Sequence, residues 1–458
     1  MKLTFCGGAK LVTGSNYLLE SENGKKILID CGLFQGNDFC ERKNFDAFPY
    51  DPKIIDAVCV THSHIDHIGR LPKLVRDGFR GKVISTPPTK DFGRALLTDS
   101  ESILKREAKN KNLPPIYTIE DIEDLMSLWE AREYHQKFQI SDFEIEFFDA
   151  GHILGSAFIL VAEKGSSSPA IIFSGDLGNS PEPLIRPTDS TESLNPAYAL
   201  IESAYGGKLH ESRGASKDIL EDTIEDTVKR GGTLLIPAFA MEKTQELLYE
   251  LKELAENGRI PRIPIFLDSP LAIALTDIYR KYSSNEKYFN EVAMSNVRKG
   301  EAIFSFPGLQ TTLTHRQSEE IDKIEGPKVI IAGSGMSHGG RIVGHEHNFL
   351  SDPKSSILLT GYQVKGSLGR QILDGAKQVR IFGDEIPVRA RVESITGYSS
   401  HADQKMLLSW IEPMRYSLKK VFIVQGEEEQ SVFLMQKMRD NLTIDCEVPS
   451  LGQEIVIK

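Results

Sequence analysis

Thr61-His62-Ser63-His64-Ile65-Asp66-His67 follows the apolar run Ile54-Ile55-Asp56-Ala57-Val58-Cys59-Val60 without a break. The run is short and rich in β-branched residues, which predicts a buried strand. The polar burst then falls at the strand's end, where α/β scaffolds carry their chemistry. Three of the chain's eleven histidines stand in this stretch beside a carboxylate. These are nitrogen and oxygen donors of the kind Zn²⁺ takes. From an extended segment His62 and His64 can converge while Asp66 and His67 point elsewhere, so one loop can serve two metal ions. A surface loop that is merely His-rich is the plainer alternative.

Three further polar islands follow apolar runs in the same way. Asp30 ends Lys26-Ile27-Leu28-Ile29. His152 lies in Asp149-Ala150-Gly151-His152-Ile153-Leu154-Gly155-Ser156. Asp176 ends Ile171-Ile172-Phe173-Ser174 in Ser174-Gly175-Asp176-Leu177-Gly178. Singly each reads as a turn or cap residue. Together, each beside glycine and each at a strand end, they suggest one pocket.

A chain of 458 residues exceeds the ~250–300 at which single cores usually divide, so two domains are expected. Apolar and charged contents of 40% and 26% are those of a soluble globular protein. The start, Met1-Lys2-Leu3-Thr4-Phe5-Cys6-Gly7-Gly8, does not read as a secretory signal. No apolar run reaches ~18 residues, so no membrane is expected. Five scattered cysteines without CxxC spacing fit buried thiols in a reducing, cytoplasmic setting, and no metal is assigned to them. The net charge of −11, from 54 Lys+Arg and 65 Asp+Glu, argues against whole-surface attraction to nucleic acid but leaves room for a basic groove. Composition alone would suit a small-molecule hydrolase equally well.

The first ~200 residues read as β-rich with short helices; a helix is expected to begin in Ile68–Val75, and Asp91–Lys111, long and charged, and Ile119–His135 also read as helical. From about residue 206 helices and strands alternate. Ser216 is a candidate cap for a helix in which Leu220, Ile224 and Val228 share a face, and Thr233–Pro237 is a buried-type strand. Such alternation predicts a parallel sheet flanked by helices. The tail returns to short strands at Val388–Ser394, Lys420–Val424 and Glu454–Ile457, able to rejoin the first part. The expected division is therefore 1–205, an insert at 206–391, and a closing part at 392–458.

The order HxHxDH from His62 to His67, the glycine-flanked His152 and the Gly-Asp at Asp176 resemble the metallo-β-lactamase fold, an αββα sandwich. The remaining motifs resemble its β-CASP branch of RNA-processing nucleases, which includes the nuclease subunit of the eukaryotic pre-mRNA 3′-end cleavage machinery. The similarity runs from Val12-Thr13-Gly14-Ser15 to Val424-Gln425-Gly426-Glu427. It implies an inserted β-CASP α/β domain and two zinc ions. His62, His64 and His152 would hold one ion, Asp66 and His67 the other, and Asp176 would bridge them. Asp30 would orient a ligating histidine. Two zincs ~3.5–4 Å apart lower the pKa of a bridging water and clamp the oxygens of an in-line displacement, and Asp66 counts with the catalytic residues on that ground.

Ile201-Glu202-Ser203-Ala204-Tyr205-Gly206 and Tyr398-Ser399-Ser400-His401-Ala402-Asp403 resemble the motifs whose carboxylate and non-ligating histidine pair. The resemblance thus makes His401 the general acid and Glu202 its orienting partner. Gly333-Ser334-Gly335-Met336-Ser337-His338-Gly339-Gly340-Arg341 resembles a phosphate-gripping loop, with Ser334, Gly335, Met336 and Ser337 as contacts. Tyr362 and Gln363 look like a second substrate-lining turn. Lys243 stands where relatives have Arg, keeping the charge but losing the fork. His338, His345 and His347 read as structural or RNA-contacting rather than as a third metal site.

One position departs from the pattern. Relatives carry His where this chain has Gln425, and amide oxygen is a poorer zinc donor than imidazole. A weaker second metal, with Mn²⁺ competing, is the consequence expected. The leading function is a zinc-dependent ribonuclease acting on single-stranded RNA through a metal-bridging hydroxide. It would be endonucleolytic, with 5′→3′ exonuclease action open to it and a homodimer left open. The alternatives are an RNA-binding protein whose catalysis Gln425 has weakened or abolished, and a hydrolase of small esters or thioesters. The long insert speaks against the latter, since a small substrate needs no such lid.

Overall fold

The computed structural model describes residues 1–36, 41–165, 169–361, 363–364, 366–395 and 397–458. Cys40 and Tyr362 lie outside the described residues. Two compact units emerge, Met1–Leu209 with His401–Lys458, and His210–Ser400.

The first unit is built on two seven-stranded sheets. One runs in the order Glu454–Val456, Lys2–Phe5, Tyr17–Glu20, Lys26–Ile29, Ala57–Cys59, Lys82–Ser85 and Trp129–Ala131. The other runs Cys446–Glu447, Lys420–Val424, Tyr198–Glu202, Ile171–Phe173, Ala157–Glu163, Phe143–Asp149 and Phe138–Ile140. The inner faces meet through Phe5 on Phe422, with ring centroids 5.3 Å apart, and Tyr17 near Phe173 at 6.0 Å. Helices cover the outside, Leu71–Arg76, Pro87–Asn110 and Ile119–Leu128 on one sheet, Gln404–Ile411 and Glu428–Leu442 on the other. This is the expected αββα sandwich. Strands buried on both faces must be apolar throughout, as Ala57-Val58-Cys59 is, and no alternation marks them. The tail does return: Lys420–Val424 pairs parallel with Tyr198–Glu202, and Glu454–Val456 antiparallel with Lys2–Phe5.

Among the described residues the second unit holds a six-stranded, wholly parallel sheet in the order Leu309–Thr311, Ile265–Leu267, Lys328–Ala332, Thr233–Pro237, Ser356–Thr360 and Arg391–Ile395, and a separate antiparallel pair, Gln378–Ile381 with Asp384–Pro387. The last strand of the parallel sheet pairs along the whole of Ser356–Thr360, so the sheet continues past residue 391. Among the described residues no helix is long and apolar enough to cross a membrane.

Several local expectations are corrected. Only Ala57–Cys59 of the run 54–60 is strand, because Asp51 caps a 3-10 turn at Pro52–Ile54 that leaves Ile54 exposed. The histidine stretch is not an extended loop throughout; Ile65–Ile68 forms one helical turn. The helix expected over Ile119–His135 stops at Leu128. There Trp129 is buried, its Nε1–H donates to Ser85 Oγ at 2.9 Å, and Trp129–Ala131 joins the sheet edge. Ser212, not Ser216, caps Arg213–Arg230, accepting the Ala215 N–H.

Candidate metal centre

Three strand ends of the first unit bring the polar islands together. Beyond Ala57–Cys59, the Thr61 N–H donates to Asp30 Oδ1 at 2.8 Å and the Thr61 hydroxyl to Asp30 Oδ2 at 2.9 Å. The turn that follows is clasped by backbone: Cys31 N–H donates to the His67 carbonyl at 2.8 Å, and Ser15 N–H to that of Asp66 at 2.9 Å. A Cβ on Gly32 would lie 1.5 Å from the Asp66 carbonyl oxygen, so only glycine permits this approach. The same holds at Gly178, whose Cβ would stand 1.7 Å from the Gly151 carbonyl and separate the Asp176 and His152 loops.

Four donors converge. His62 Nε2 lies 3.0 Å from His64 Nδ1, and His152 Nε2 lies 3.2 Å from the same atom. Asp176 Oδ2 stands 3.4 Å from His62 Nε2 and 3.6 Å from His152 Nε2. A tetrahedral Zn²⁺ with ligands at about 2.0–2.1 Å has donor–donor edges of roughly 3.4 Å, so this set fits such an ion. Burial, with the neighbouring imidazoles, lowers the proton affinity of His62, His64 and His152. Their ring lone pairs are thus available near neutral pH. Thr61 Oγ1 also stands 3.1 Å from His62 Nδ1. A proton there leaves Nε2 bare and facing the cluster.

The other oxygen of Asp176 faces a second group. Oδ1 lies 3.4 Å from His67 Nε2, whose opposite nitrogen, Nδ1, is 2.7 Å from Asp30 Oδ2. Asp66, at the head of the helical turn, places Oδ2 3.8 Å from His67 Nε2. Gln425 enters here directly: its amide nitrogen is 2.9 Å from Asp176 Oδ1 and 3.0 Å from His67 Nε2.

His401 arrives from the start of the returning tail. Its backbone bridges Gly178, and the Ala402 N–H donates to the Leu177 carbonyl at 2.7 Å. Its Nδ1 lies 3.4 Å from the Glu202 carboxylate and 3.9 Å from Asp176 Oδ2. Glu202 is wholly buried and accepts the Leu177 N–H at 2.7 Å. Desolvation alone would lower His401, yet Glu202 lifts its pKa to about 9.

The proposed phosphate contacts lie in the second unit and are engaged in bonds within it. The Lys243 ammonium is buried, 2.7 Å from Glu246 and over the Tyr398 ring. Ser337 Oγ donates to Glu346 at 2.5 Å, Ser334 Oγ accepts the His338 N–H at 3.0 Å, and Gln363 donates to the Gly335 carbonyl at 3.0 Å. The Met336 carbonyl faces His338 Nδ1 at 3.2 Å. His345 is buried between Asp268 at 2.8 Å and Asp322 at 2.7 Å.

Ser15, Thr61, the Leu177 amide and Tyr17, whose hydroxyl donates to Gln425 Oε1 at 3.3 Å, belong to the site, yet the sequence assigns them no role. Ser15 and Thr61 were signalled by adjacency to motif residues. Tyr17 lies within the strand Tyr17–Glu20 and carries no local mark.

Comparison with known proteins matches residues 9–135 to a metallo-beta-lactamase superfamily model, 244–372 to a Beta-Casp domain and 385–449 to a Zn-dependent metallo-hydrolase RNA specificity domain. The chain is 37% identical to Ribonuclease TTHA0252 of Thermus thermophilus, over 95% of each chain. It is 30% identical to Transcription termination factor FttA of Methanosarcina mazei, over 97% of this chain and 70% of that protein. A crystal structure of a protein of unknown function from Enterococcus faecalis shares the fold, with a TM-score of 0.57 at 12% identity and 99% of each chain covered.

Proposed function

The chain belongs to the β-CASP family of metallo-β-lactamase-fold hydrolases, and we propose that it is a zinc-dependent ribonuclease cutting single-stranded RNA. Enzymes of this family are metal-dependent hydrolases, and the fold implies a divalent metal. The observation that carries the reading is the convergence of His62, His64, His152 and Asp176, with the His401–Glu202 pair against it. Three nitrogens and one oxygen suit zinc better than magnesium or calcium. A bound ion supplies Lewis-acid polarisation of a phosphoryl oxygen and acidifies water for attack near neutral pH. Asp66, His67 and Asp176 would hold a second ion only weakly, with Mn²⁺ competing, since Gln425 supplies an amide in place of a ligating imidazole.

The residues divide the remaining work. Glu202 holds His401 by Nδ1, leaving Nε2–H for the departing ribose oxygen as the P–O bond breaks. Asp30 fixes Thr61 and His67. The RNA-specificity match and the relative named as a ribonuclease support RNA as substrate. We assign the RNA backbone to Ser334, Gly335, Met336 and Ser337; Lys243 joins them only by releasing Glu246. Cys6, Cys31, Cys59 and Cys446 are free and buried, which suits a reducing cytoplasm.

The test is labelled single-stranded RNA incubated with the purified chain, with and without chelator, beside His401→Ala. Cleavage should stop on chelation and fall about 10²–10⁴-fold in the variant. Cleavage that ignores the chelator, or an undiminished variant, overturns the proposal.

A further inference from the structure

Gln425 follows the strand Lys420–Val424 with a left-handed backbone, φ +50°, and its N–H donates to the Gly8 carbonyl at 2.7 Å. That turn drives the side chain inward, where it is 3% exposed. The amide orientation is set by its neighbours. Asp176 Oδ1, 2.9 Å away, can only accept, so nitrogen faces it; Oε1 is then left to accept the Tyr17 hydroxyl at 3.3 Å. The second amide hydrogen is directed to His67 Nε2 at 3.0 Å. His67 Nδ1 stands 2.7 Å from Asp30 Oδ2, so the ring proton belongs there, and Nε2 is the acceptor that the amide N–H requires.

The amide therefore engages both donor atoms that a second cation would need. We propose that the Gln425 amide substitutes for the second metal, capping His67 Nε2 and Asp176 Oδ1, so that this chain holds one tightly bound divalent ion. This goes further than a weakened ligand. A weak ligand helps a cation to bind, whereas a cap must be displaced before one can. Displacement would leave an amide without its acceptors in a buried site, and that opposes the second ion. The inference rests on the reading of His62, His64, His152 and Asp176 as the occupied set.

Zinc per chain, measured by elemental analysis and by titration against a zinc buffer, separates these cases without any assay of cleavage. Wild type should retain one zinc. Gln425→His should retain two. Gln425→Ala is decisive, because deleting a cap strengthens second-ion binding by tenfold or more, whereas deleting a ligand weakens it. Two equally tight zincs in wild type, or weaker second-ion binding in Gln425→Ala, overturn the proposal. Should Gln425→Ala fail to fold, Gln425→Leu, similar in volume and without the amide, makes the same distinction. A wild type that binds no zinc, with His152→Ala indistinguishable from it, strikes down the four-donor reading itself.

Discussion

His401 presents Nδ1 to the buried carboxylate of Glu202 at 3.4 Å, while the loop that carries Asp176 clamps both: Leu177 N–H bonds Glu202, and Gly178 bridges His401. An imidazole lifted to about 9 by that carboxylate keeps its proton at neutral pH. We expect activity to persist to about that pH and fall beyond it, as the acid is lost. Glu202→Gln removes the charge that raises His401, so the alkaline fall should move to lower pH. Rate against pH for the two proteins checks this; coincident alkaline limbs would remove Glu202 from the pair.

Asp30 reaches the metal set through Thr61. The Thr61 hydroxyl donates to Asp30, which leaves its lone pair for His62 Nδ1–H. Thr61→Val keeps the shape and deletes the relay. Loss of such support typically costs 10–100-fold in metal affinity, and we expect zinc to be surrendered to a chromophoric chelator that much more readily.

Metal removal should also cost stability. An ion that binds only the folded chain adds about 2.7 kcal/mol at one hundred times its Kd. Chelation should therefore lower the melting temperature of wild type and leave that of His152→Ala nearly unmoved.

The second unit carries its own pH signature in His345. Burial opposes its charge, but Asp268 and Asp322 raise it to about 9. Its contribution is fully present below the unfolded value near 6.5 and is lost as pH rises through about 9, on the order of 3 kcal/mol. Burial would raise Asp268, yet its bonds to His345, Ser318, Thr312 and Arg341 depress it. That contribution is present above the unfolded value near 3.9 and fades in acid. His345→Gln should flatten the decline in melting temperature between pH 6.5 and 9; an unchanged slope would refute the assignment.

Much of the architecture was legible because its causes are local. Short β-branched runs ending beside glycine marked the strands that pair in both sheets of the first unit, and alternating periodicity from residue 206 marked the parallel sheet. The misreadings came where burial overrode pattern. Trp129 left the expected helix to fill the core beside Ser85, and Ile54, apolar but exposed, fell outside its strand. Tyr17 escaped notice because a strand tyrosine looks alike whether it packs or donates.

By itself the sequence determined which donor types stand at which strand ends, and hence that His62, His64, His152 and Asp176 could share a pocket. Only the tertiary structure decided how they meet, and where Gln425 puts its amide. Those outcomes depend on atoms up to several hundred residues apart being held within about 3 Å of one another inside a buried, low-dielectric site. There, which hydrogen faces which lone pair is settled by every neighbour at once. No local pattern encodes such an arrangement.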